Sequence, residues 1–112
     1  MRSDRERLLD ILEAIDKIGQ RTSRDIDAFA DDEMQQVWVI HHLQIVGEAA
    51  YGLTQRFKAD HQQVPWDQII GMRHVLVHGY FEIDLDIVWA VIEKDLPPLK
   101  GAIEAILRQS EG

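Results

Sequence analysis

Arg73, His74, His78 and Tyr80 fall within eight positions of one stretch, GMRHVLVHGYF (residues 71–81). Arginine offers a rigid fork of N–H donors that fits a phosphate bidentately and keeps its charge at any physiological pH. Histidine exchanges protons near neutrality, and tyrosine supplies a phenol that donates, accepts, stacks or is modified. On a regular helix five positions separate Arg73 from His78 by about 140°. Unwinding near His78 would bring them closer, and Gly79 permits it. By residue type alone the same group also suits a helix terminus, where cations complement the dipole and a tyrosine beyond a glycine packs back on the fold.

The elements that must position these residues read as helices. Ser3 and Glu6 have capping-box spacing, and Leu8, Ile11, Leu12, Ile15 and Ile18 follow at helical intervals, with Gly19 as the expected stop. Residues 25–30 are ambiguous. Asp31 and Asp32 offer a cap to a long helix expected to reach about Lys58. Along it Val37, Trp38, His41, Gln44, Ile45, Glu48 and Tyr51 trace a stripe. Pro65 suits the first turn of a third helix that carries Arg73 and exits at Gly79. Asp84 is the expected cap of a fourth helix, which Pro97 and Pro98 should interrupt before a last piece from Leu99 to Leu107. No stretch alternates as a strand does. The expectation is an all-α fold, a four- to five-helix up-and-down bundle forming one domain over residues 1–112.

Composition sets limits. Without cysteine there is no disulfide, zinc–thiolate site or thiol nucleophile. No apolar run approaches the roughly 20 residues of a membrane span, and the charged start MRSDRER lacks a signal-peptide core, so a cytoplasmic location is expected. Twenty acidic against twelve basic side chains give a net charge of −8. Such a surface repels nucleic acid over most of its area, so RNA chemistry requires a local positive pocket. By charge alone, a basic protein partner is the better match.

Arg73, four residues, His78, one residue and Tyr80 resembles the Arg–(four to six residues)–His motif of HEPN domains in the form ending His-x-Tyr. The surroundings resemble the HepT-like branch of that family: Val46-Gly47-Glu48-Ala49, Val64-Pro65-Trp66, Gly71-Met72-Arg73, Val88-Trp89 and Leu96-Pro97 occur in its order and spacing, over nearly the whole chain. His74 departs from the polar residue, commonly asparagine, that often follows the arginine, though a histidine also donates and accepts. The resemblance implies a HEPN-type bundle and a metal-independent endoribonuclease, the toxin of a type VII toxin–antitoxin pair, acting as a homodimer without a cofactor. His78 would be the general acid/base and Arg73 would bind the scissile phosphate. The implied partner is a minimal nucleotidyltransferase antitoxin that transfers AMP to Tyr80, adding bulk and negative charge beside the phosphate site.

Glu48 lies at the apolar edge of its helix and needs a partner; Arg73 is the candidate, so Glu48 and His74 are expected to support the site. A metal at His41, Gln44 and Glu48 is not expected, because Ile45 occupies the intervening turn. Trp38, Trp66 and Trp89 are expected in the core, His61 in solvent, and Glu82, Asp84 and Asp86 in a turn and cap. The rival function is a non-catalytic helical dimer that binds a nucleotide or regulates a partner nucleotidyltransferase. A third is the substrate-binding subunit of a two-part nucleotidyltransferase.

Overall fold

A computed structural model describes the backbone of residues 2–78 and 84–111 and the side chains of residues 2–73 and 84–109. Within these the chain is all-α: α1 (Asp4–Arg21), α2 (Ile26–Ala30), α3 (Glu33–Gly52), α4 (Gln55–Asp60), α5 (Trp66–His78), α6 (Leu85–Ala90), a π-helical turn (Val91–Asp95) and α7 (Leu96–Glu111). Helix α3 is central, packing against α1 on one side and α5 on another, while α7 closes on α1. The result is an all-helical bundle, as the resemblance implies. Leu8, Ile11 and Ile18 of α1, Val39, Leu43 and Val46 of α3, and Val88 and Ile103 beyond them lose essentially all solvent contact. Phe29 of α2 is fully buried and packs on Trp89, ring centroids 5.4 Å apart.

Local chemistry starts the helices. The Ser3 hydroxyl accepts from the Glu6 backbone N–H at 3.1 Å, and the Glu6 carboxylate accepts from the Ser3 N–H at 3.0 Å. Asp32 accepts from the Gln35 N–H, and Asp84 from those of Asp86 and Ile87. Asp25 caps α2, resolving that ambiguous segment as a short helix.

The Ser3 backbone N–H is the largest cause holding the Glu6 carboxyl below its ordinary range, with the Ser3 side chain next. A lowered folded value means the contribution is complete above the unfolded Glu range, near about 4.3, and fades as pH falls through the folded value. Glu6→Gln retains the acceptor and loses the titration. Acid unfolding followed by circular dichroism should therefore show a slightly shallower loss of stability below about pH 4.3 in this variant than in the parent.

Three expected boundaries differ. Helix α1 continues past Gly19 to Arg21, because α3 holds its end: the Trp38 indole N–H donates to the Lys17 carbonyl at 2.8 Å and Arg21 stacks on the same indole. Helix α3 stops at Gly52 rather than near Lys58. There Thr54 begins α4, its hydroxyl accepting from the Phe57 N–H, while its own N–H and O–H donate to the Asp4 carboxylate at 2.9 and 2.8 Å. Finally, Pro97 and Pro98 do not interrupt the last helix. A proline ring crowds the carbonyl four residues before it, here those of Glu93 and Lys94. Both lie in the wider π-helical turn, where the Leu96 N–H reaches back five residues to the Val91 carbonyl. The widening accommodates the rings and the helix runs on.

Candidate active site

Arg73 sits on the last turns of α5, opposite the C-terminal half of α3. The two helices touch there through Gly47. A Cβ built on Gly47 would lie 2.8 Å from the Arg73 backbone nitrogen and 3.0 Å from its Cβ. The absent side chain is thus what lets the Arg73 backbone lie directly on α3.

Two neighbours from α3 then hold the guanidinium. Glu48 accepts from Arg73 Nη1, its carboxylate oxygens 3.3 and 3.4 Å away. Tyr51 presents its ring to the guanidinium carbon, 3.7 Å from the centroid, a close cation–π contact. Glu48 and Tyr51 are three positions apart on one helical face, so a single turn of α3 supplies both contacts. The Arg73 side chain is 18% exposed and that of Glu48 63%. A pair with so open a carboxylate contributes at most about 1 kcal/mol to stability, so its effect here is orientation. The guanidinium is set in one plane before any ligand arrives.

The sequence-expected site residues divide into two groups. Arg73 and Glu48 are brought into contact. The His74 and His78 side chains and the whole of Tyr80 lie outside the described residues, although the α5 backbone extends through both histidines. Tyr51, on the expected stripe of α3 but not among the expected site residues, joins them; its spacing of three from Glu48 is the signal in the sequence. Helix α3 separates the other histidines: His41 is exposed, whereas His42 is buried with Nδ1 2.7 Å from the Trp38 carbonyl, to which it donates. His61, expected in solvent, is half-buried against Phe57, ring centroids 4.4 Å apart, and its carbonyl accepts from the Trp66 indole at 2.9 Å. The turn into Pro65 brings Trp66 back over this segment and covers it. Trp66 is buried, and Trp38 and Trp89 are half-buried. Among the described residues no three His, Asp or Glu side chains gather as metal ligands, and no helix is long and apolar enough to cross a membrane.

The structure gives an all-helical bundle with an oriented arginine on the last turns of α5. The chain belongs to the HepT-like ribonuclease family, whose model, "Ribonuclease HepT-like", matches residues 11–106. It is 38% identical to "Probable ribonuclease HepT" of Thermococcus cleftensis over 94% of this chain and 96% of that protein. It is 35% identical to "Putative RNase MJ1380" of Methanocaldococcus jannaschii over 88% of this chain and 92% of that one. A third relative, "Putative RNase TTE0752" of Caldanaerobacter subterraneus, is 31% identical over 99% of this chain and 100% of its own length. No solved structure matches the chain. Membership of a ribonuclease family makes RNA the substrate class to explain.

Proposed function

We propose that the protein is a metal-independent endoribonuclease, the toxin of a toxin–antitoxin pair, working as a cytoplasmic homodimer through Arg73 and His78. The orientation of Arg73 by Glu48 and Tyr51 supports this reading most directly. Arg73 binds the scissile phosphate and stabilises the negative charge that grows on its oxygens in the transition state. His78 takes the proton from the ribose 2′-hydroxyl or delivers one to the departing 5′-oxygen. His74, next to Arg73 in sequence, supports the pocket. Two copies of the motif facing each other across a two-fold axis concentrate positive charge locally on an acidic body of net charge −8.

Control comes from a minimal nucleotidyltransferase antitoxin that transfers AMP from ATP to the Tyr80 hydroxyl, with pyrophosphate leaving and the phenol proton lost. The new phosphodiester brings negative charge and a nucleoside next to the position an RNA phosphate must take, and blocks it by repulsion and bulk.

Expression in bacteria without the partner tests both parts. The parent should arrest growth and degrade RNA, and Arg73→Ala and His78→Ala should do neither. Tyr80→Phe should stay toxic but escape rescue by the nucleotidyltransferase. The acidic charge favours a second reading, a non-catalytic helical dimer that binds a nucleotide or regulates a partner nucleotidyltransferase. A harmless parent with intact RNA and unmodified Tyr80 by mass spectrometry would select that reading.

A further inference from the structure

Tyr51 belongs to two places at once. One face of its ring carries Arg73, yet the residue is 56% exposed, and it lines a groove of about 680 Å³ between the end of α3, α4 and the first turns of α5. Against a chain with twenty acidic side chains, Asp67 is the one acid among the described residues lining this groove, Lys58 offsets its charge, and Gln55, Gln62 and Gln68 supply three neutral amides. Side-chain amides both donate and accept, as the edges of nucleobases do. An aromatic ring with an open surface takes any base by stacking.

We infer that this groove is a nucleotide subsite of the ribonuclease centre: an unpaired base next to the scissile phosphate stacks on Tyr51, with the glutamines around its edge. This rests on the proposed role of Arg73. The guanidinium and the base would share one tyrosine, placing the phosphate held by Arg73 and the neighbouring base on a common support. A base inside a duplex has both faces covered by its stacked neighbours and cannot lie on Tyr51. The substrate class that follows is single-stranded RNA, or loops and ends whose bases splay out.

Binding can be read without cleavage by using a 2′-O-methyl oligoribonucleotide of about ten residues carrying 2-aminopurine, whose fluorescence is quenched on stacking. The parent and Tyr51→Phe should bind the single strand with quenching. Tyr51→Leu should bind roughly 5- to 100-fold more weakly and lose the quench. Gln62→Ala with Gln68→Ala, which leaves the contacts of Arg73 in place, should also weaken binding, and the same probe in a duplex should bind less tightly than the single strand. Unfolding curves of the variants control for stability. Equal affinity and quenching in Tyr51→Leu, equal affinity for the duplex, or no binding by the parent would each overturn the subsite. Cleavage of unmodified single-stranded RNA by the parent separates the two ideas. A parent that binds with Tyr51-dependent quenching but never cleaves leaves the subsite standing and removes the ribonuclease mechanism. A parent that cleaves, with Tyr51→Leu binding unchanged, does the opposite.

Discussion

Gly47→Ala is expected to lower the unfolding free energy by about 1–3 kcal/mol, the usual cost of overpacking a close contact. The added methyl would sit 2.8 Å from a backbone nitrogen on α5, which cannot swing aside as a side-chain tip can. One helix must therefore move, and Arg73 moves with it. If Arg73 binds the scissile phosphate as proposed, displacing it by about 1 Å costs roughly tenfold to 100-fold in rate, so activity should fall even where the protein stays folded. Gly101→Ala is the matched control. A Cβ there meets nothing within 4 Å among the described residues, and exchanging glycine for alanine within a helix should stabilise by roughly 0.5–1 kcal/mol. Urea unfolding of the two variants should thus shift in opposite directions. If Gly47→Ala unfolds like the parent and cleaves RNA equally well, the close approach does not position Arg73.

Arg73→Lys should be nearly as damaging to activity as complete removal of the side chain, about 10²- to 10³-fold in cleavage rate, although the charge is kept. Lysine is a point charge without a planar fork. It cannot hold two phosphate oxygens while lying flat on Tyr51 and donating to Glu48. The stability cost should be small, because the Glu48 carboxylate is open to solvent and the pair contributes little. Initial rates on single-stranded RNA, with thermal unfolding alongside, measure the two effects separately. A lysine variant within a few fold of the parent would mean that charge alone suffices and that the cradle on α3 is incidental.

What was legible in the sequence was local. Ser3 with Glu6, Asp32 and Asp84 announce helix starts because a cap needs only residues two or three positions away. The end of α3 was not legible, since its cause is Asp4, 50 residues earlier in the chain, reaching Thr54. Nor was the passage of the last helix through Pro97 and Pro98, which depends on a widened turn that no propensity announces. At the site, the pairing of Glu48 with Arg73 is present as expected, but not for the expected reason: the Glu48 carboxylate is open to solvent, so burial does not demand a partner. Tyr51 gave less warning. A tyrosine on a helical stripe reads equally as core, surface or ligand platform until the facing helix shows which neighbour lies over its ring.

The π-helical turn at Val91–Asp95 lies between Val88 on one side and Leu96, Leu99, Ile103 and Ile106 on the other, and all five are buried in the same core. A wider turn leaves the carbonyls of Glu93 and Lys94 with room that a regular α-helix denies them. The two prolines stand where the backbone already has space, so the chain passes from α6 into α7 without a break and both helices serve one core.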